Sequence, residues 1–197
     1  MDNLIRITKN ITFGDLRQGR KTSIDVYEEQ IKSWLIKPLK DLAKDKKYSF
    51  ENGYAMFALE LLFFEPHGKY LQGNSVSASS ANFKFGFNSF LFFLSTNDFI
   101  DGSVLNKIRS LNFYSISRCG IYHTMTIQSG LLIDSIHMQE KKVFYNSPVN
   151  NGILVSPWNF LVALEKYFEN YIENLRNNSS SEELRKFNLT FNSLFQY

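Results

Sequence analysis

The sequence predicts a mainly α-helical fold with one small β insertion, and three observations carry that prediction. Apolar residues recur at helical spacing through most of the chain, as in Val26, Tyr27, Ile31, Trp34, Leu35, Leu39 and Leu42. Helix-start chemistry precedes the apolar runs: Thr22 or Ser23 stands ahead of Asp25, Glu28 and Glu29, and Ser156 stands ahead of Pro157. The helical period lapses between 131 and 155, where short apolar runs alternate with polar turns.

Residues 1–23 are polar and irregular, with weak strand character at 4–7 and 11–13, and read as an N-terminal arm. Residues 24–197 read as a single domain. Its first helix ends in the basic patch 44–47 and is kinked by Pro38, which lacks an amide hydrogen. Ser49 and Asn52 open a second helix running to about Glu65. It is apolar nearly all round, so it belongs at the centre, and Pro66 and Gly68 are expected to end it. The Gly-, Ser- and Asn-rich stretch 68–80 reads as a loop. Helices are expected at 81–95 and 103–117, with the segment around Arg118 continuing to about Met125. Residues 131–136 and 142–145 suit a β-hairpin turned through 137–141, and 153–155 suits a third strand. A long helix from Pro157 to about Arg176 and a short one holding Leu184, Phe187 and Phe191 complete the chain.

Composition narrows the function. Of 197 residues, 44% are apolar and 21% charged, which fits one globular domain rather than a disordered chain. The 19 phenylalanines predict an aromatic core. A net charge of +3 permits a polyanionic partner without requiring one. The cations Arg17, Arg20, Lys21, Lys32, Lys37, Lys40, Lys44, Lys46 and Lys47 crowd together early, as on a solvated helix face. Cys119 is the lone cysteine, so no disulfide forms within the chain and a reducing compartment fits. The first residues lack a basic head followed by an apolar run, and the apolar stretches are short for a membrane span. Together these features predict a cytoplasmic protein.

Most familiar chemical motifs fail on inspection. Gly68 to Ser75 imitates a phosphate-binding loop, but Asn74 occupies the position where that loop needs lysine, and the loop follows a helix instead of a strand. His67, His123 and His137 are scattered and lack metal-ligand spacing, so neither a metal nor another cofactor is expected. Cys119 beside Arg118 has the neighbour of an activated thiol, but a lone small apolar cysteine in a helix is more often a packing residue.

The stretch Arg118-Cys119-Gly120-Ile121-Tyr122-His123 offers more. Histidine moves protons near neutral pH, and arginine holds the charge that builds on a phosphate in a transition state. On a regular α-helix the two side chains point roughly 140° apart. Either the long arginine swings toward the imidazole or the two flank a groove. In the structural alternative, Arg118 pairs with Glu60 or Glu65 and His123 packs locally.

This stretch resembles the Arg-x(4–6)-His signature of HEPN domains, a superfamily of helical bundles with many RNases in toxin–antitoxin, CRISPR and phage-defence systems. Phe64-Glu65 followed by Lys69-Tyr70 is similar to segments of bacterial HEPN-like proteins. The resemblance covers residues 24–176, and the six-residue motif is its sharp part. It implies a HEPN-like helical bundle and metal-independent RNA cleavage with Arg118 and His123 as catalytic residues. It also implies substrate contacts from Glu65, Lys69, Tyr70 and Tyr122, a homodimer with a composite site, and an antitoxin or defence partner protein. Cys119 departs from the polar residue that many active members carry after the arginine. The rival expectation is a non-catalytic helical interaction or nucleotide-binding module in which Arg118 and His123 hold the fold.

Overall fold

The computed structural model describes residues 5–44, 49–73, 78–121, 127, 130–134, 141–148, 151–178 and 181–195. The fold is mainly helical, with one three-stranded sheet. The first described residues do not hang free. Arg6 and Thr12 form an antiparallel bridge, and Ile7 and Ile11 enter the core. Thr12 and Asp15 form a capping box that starts the short helix α1 (Phe13–Arg17).

A second capping box, between Thr22 and Asp25, starts α2 (Ser23–Ile31). The helix runs on through a π-helical turn, Lys32–Ile36, into α3 (Lys37–Lys44). The wide turn sits immediately before Pro38. A proline there supplies no amide to the Trp34 carbonyl and crowds it, and widening the turn relieves both faults. The wider turn also shifts the helical phase. Leu35 and Ile36 are therefore buried, while Trp34, expected in the apolar stripe, is 60% exposed.

Helix α4 (Ser49–Leu62) breaks at Phe63, and α5 (Phe64–Gln72) follows at once. The expected stop at Pro66 and Gly68 is corrected here. Pro66 lies in the first turn of α5, where its missing amide costs little. Gly68 lies where α5 crosses α6 (Ser79–Thr96). A β-carbon at Gly68 would stand 1.9 Å from the Asn82 carbonyl oxygen, and one at Gly86 would stand 2.3 Å from that of Phe64. The true stop is Gly73, whose φ of 70° is the left-handed conformation common just past a helix end.

Helix α7 (Gly102–Ser110) is shorter than the spacing predicted, and a π-helical segment, Tyr114–Cys119, follows it. The long α8 (Pro157–Asn177) starts with Ser156 as cap and proline in the first turn, as expected. Helix α9 (Glu182–Leu194), capped by Ser181, closes the described chain.

The sheet differs from a hairpin. Strands β1 (Leu131–Ile133) and β2 (Phe144–Asn146) do not pair with each other; β3 (Ile153–Val155) lies between them. It is parallel to β1 and antiparallel to β2. Two short strands with polar residues between them resemble a hairpin in sequence, and only the third strand reveals that the middle place is taken.

Helix α8 is the axis of the core. Its Phe160 packs against Phe90 of α6 with ring centroids 4.9 Å apart and against Phe57 of α4 at 5.9 Å. Phe144 of β2 joins at 5.8 Å, so the sheet is fixed to the helices through aromatic edges. The aromatic core expected from composition is therefore present. Among the described residues no helix is long and apolar enough to cross a membrane.

Candidate functional site

Arg118 lies near the end of the π-helical segment. Two features of the sequence account for that local shape. Buried Ser117 donates its hydroxyl hydrogen to the Phe113 carbonyl at 2.6 Å, a back-bond that bends a helix. The Gly120 amide then reaches the Ser115 carbonyl five residues back. In this register the α-helical angle of 100° per residue does not hold through Cys119.

The guanidinium is anchored on two sides. Its Nη2 lies 2.6 Å from Glu65 Oε2, and its Nη1 lies 3.4 Å from Tyr114 Oη. Its carbon sits 5.5 Å from the centroid of the Tyr114 ring, a cation–π arrangement. Both charged partners are half-buried, at 24% and 26% side-chain exposure. Glu65 stands in the first turn of α5, where a helix dipole favours a carboxylate. Of the two carboxylates that sequence reading offered to Arg118, Glu65 is the partner.

Glu60 is instead fully buried one turn earlier, with neither carboxylate oxygen hydrogen-bonded among the described residues. Burial without a partner holds its pKa well above the usual carboxylate range.

The other expected site residues divide. Lys69 is half-buried one turn beyond Glu65 and forms no ion pair among the described residues. Tyr70 is a packing residue: it is buried, stacked on Phe187 at 5.0 Å and set against Tyr27 at 4.2 Å, so neither ring face is open to a base. Tyr122 and His123 lie outside the described residues, as does His137. Cys119 is half-buried. Among the described residues no three His, Cys, Asp or Glu gather as metal ligands would.

Tyr114 also lines a cleft of about 340 Å³ between α6 and the α7–π region. Phe83, Phe87 and Phe113 line it together with Lys84, Arg109, Asn88 and Asn112, and none of its lining residues is acidic. Lys84 and Arg109 are exposed and form no ion pair among the described residues. The early basic cluster contrasts with them. Lys32 pairs with Glu28, Lys37 and Lys44 with Asp41, and Lys40 with Glu165. Sequence counting drew attention to that cluster, although much of its charge is locally balanced. Lys84 and Arg109 lie 25 residues apart in a numbering that does not reveal their shared cleft.

His67, weighed from the sequence only as a metal ligand, has another place in the fold. It is buried, with Nδ1 3.1 Å from Tyr27 Oη and Nε2 3.0 Å from Tyr167 Oη. Burial pulls its pKa down to about 3, so the ring is neutral at physiological pH. Comparison of the chain with family models, with curated proteins and with solved structures finds no match.

Proposed function

We propose that this protein is a metal-independent endoribonuclease of the HEPN type in which Arg118 and His123 do the chemistry. The supporting observation is the Arg118 guanidinium, held by Glu65 and by Tyr114, a residue that also lines a cleft carrying Lys84 and Arg109 and no acidic lining residue. A pre-oriented cation, with further cations in a cleft that shares Tyr114 with it, suits a phosphodiester chain, because the charge that grows on phosphorus meets donors already in place.

In the proposed reaction the 2′-oxygen of RNA attacks the adjacent phosphorus and gives up its proton. The bond from phosphorus to the 5′-oxygen breaks, and that oxygen takes a proton. The products are a 2′,3′-cyclic phosphate and a 5′-hydroxyl. His123 moves the proton, and Arg118 holds the pentavalent phosphorane. The reading includes a cytoplasmic homodimer with a shared site and a role in toxin or phage-defence systems. DNA lacks the attacking hydroxyl and is spared.

The Arg118–Glu65 ion pair also favours a second reading, a non-catalytic interaction module, because a carboxylate that neutralises the arginine is what a structural role needs. Incubation of the purified protein with mixed RNA in EDTA separates the two. The nuclease reading expects cyclic-phosphate ends. It expects cleavage to fall about 10²–10⁴-fold in His123→Ala and about 10²–10³-fold in Arg118→Ala. A folded wild type that leaves RNA intact sinks the nuclease reading and advances the module.

A further inference from the structure

Among the described residues three large aromatic side chains are exposed: Trp34, Phe85 at 47% and Phe92 at 65%. None of them belongs to the core, and none makes a ring contact among the described residues. A large ring left in water has its apolar face open to a ligand. The charge around each ring decides what that ligand is.

Trp34 stands in the π-helical turn between Lys32 and Lys37. Those lysines already have carboxylate partners in Glu28 and Asp41, which a phosphate there would have to displace. Phe92 borders a recess whose lining holds the carboxylate of Glu183 and no lysine or arginine. Phe85 differs from both. Lys84 precedes it, Asn88 follows one turn later, and both line the cleft that also carries Arg109 and no acidic residue. Lys84 and Arg109 are exposed and form no ion pair among the described residues. From Ser79 to Thr96, α6 itself has no acidic residue.

We propose that Phe85 is a stacking platform for one base of a single-stranded RNA whose phosphates lie along Lys84 and Arg109. Single strands are gripped by cations that follow the backbone and by rings on which bases stack. Stacking needs an open ring face, and counterion release needs cations that no carboxylate has neutralised. Of the three exposed rings, Phe85 alone meets both conditions. Every base has a π face, so the platform holds a strand without choosing its sequence. A duplex keeps its bases stacked on one another and offers the ring nothing. The proposal takes its RNA from the nuclease reading and rests on it to that extent, but it needs no cleavage.

The test is fluorescence anisotropy of a labelled 2′-O-methyl oligoribonucleotide titrated with the whole protein. This strand lacks the attacking hydroxyl and stays uncut. Phe85→Ala weakens binding about 5- to 150-fold, and Phe85→Trp retains it. Phe92 lies two turns further along the same helix, roughly 20° away around its axis. Phe92→Ala and Trp34→Ala nevertheless bind like the wild type. The salt slope of Phe85→Ala matches the wild type, because stacking releases no counterions. An abasic strand of the same length binds wild type and Phe85→Ala alike. Phe85 lies outside the core, so Phe85→Ala keeps the wild-type unfolding midpoint.

The proposal is overturned if the folded wild type does not bind the oligonucleotide, or if Phe85→Ala binds it like the wild type. It is also overturned if the abasic strand or Phe92→Ala shows the same loss. A dimer that becomes monomeric in sedimentation of Phe85→Ala, at unchanged oligonucleotide affinity, gives the face to a second copy and overturns it as well. A wild type that grips the strand through Phe85 yet leaves RNA intact in EDTA sinks the nuclease reading and keeps the platform. Cleavage together with unchanged binding by Phe85→Ala does the reverse.

Discussion

Two buried titratable residues, His67 and Glu60, pull the pH dependence of stability in opposite directions. His67 is an ordinary base near 6.5 when unfolded and is pulled down to about 3 in the fold. Between those values the unfolded chain binds more protons, so stability rises with pH across that window. Glu60 is an ordinary acid near 4.5 when unfolded and is raised well above that in the fold. There the folded chain keeps the proton, so stability falls as pH climbs past 4.5 toward the folded value. From 4.5 to 6.5 the two slopes oppose each other. Above that window, of these two residues, Glu60 alone still acts, with a limiting slope of about 1.4 kcal/mol per pH unit. Urea unfolding from pH 5 to pH 8.5 should therefore show a plateau and then a decline in the wild type. Glu60→Gln, which keeps the shape without an acid, should flatten the alkaline decline. An equal decline in both proteins would mean that Glu60 is solvated in the folded state.

At the scale of elements, the crossing of α5 and α6 decides more than helix propensity does. Alanine is a better helix former than glycine by about 1 kcal/mol, which alone would make Gly68→Ala stabilising. Its β-carbon, however, would stand 1.9 Å from a backbone oxygen of the facing helix. Backbone cannot step aside as a side-chain tip can, so the helices must separate and the Phe64, Phe83 and Phe87 packing loosens with them. Gly68→Ala and Gly86→Ala should each lose about 1–3 kcal/mol or more in chemical denaturation. Gly102, with nothing within 4 Å of its would-be β-carbon, should accept alanine at no cost. Loss at Gly102 equal to that at Gly68 would refute the close-crossing account.

The same crossing shows why part of the helical pattern was legible and part was not. Capping boxes at Thr22 and a proline start after Ser156 are local chemistry, so sequence alone located α2 and α8. A glycine required by a neighbouring helix carries the same letter as a glycine that ends one, and Pro66 beside it strengthened the wrong expectation. The place of β3 between β1 and β2 is likewise a long-range choice that no local residue announces.

For the whole molecule, charge placement matters more than net charge. Counting cations along the chain pointed at residues 17–47, where carboxylates from α2, α3 and α8 neutralise several of them. The unpaired cations of the candidate cleft come from two separate helices, and only folding brings Lys84 and Arg109 to the edge where Tyr114 contacts Arg118. The motif was therefore legible as six consecutive residues, while its surroundings were not.

If that cleft carries an RNA strand, each cation that meets a phosphate releases counterions when it binds. The logarithm of affinity should then fall with the logarithm of salt, with about 0.7 of slope per phosphate contact on a single strand. Lys84→Ala and Arg109→Ala should each reduce the slope by about that amount and weaken all RNA sequences alike. Lys40→Ala, whose charge Glu165 already balances, should leave the slope nearly unchanged. Fluorescence titrations of a single-stranded RNA across a salt series on the three variants decide the matter. Equal slopes in all three would place RNA elsewhere on the surface. A drop confined to Lys40→Ala would return the interface to the early basic cluster, because a paired lysine can lower the slope only if phosphate displaces its carboxylate.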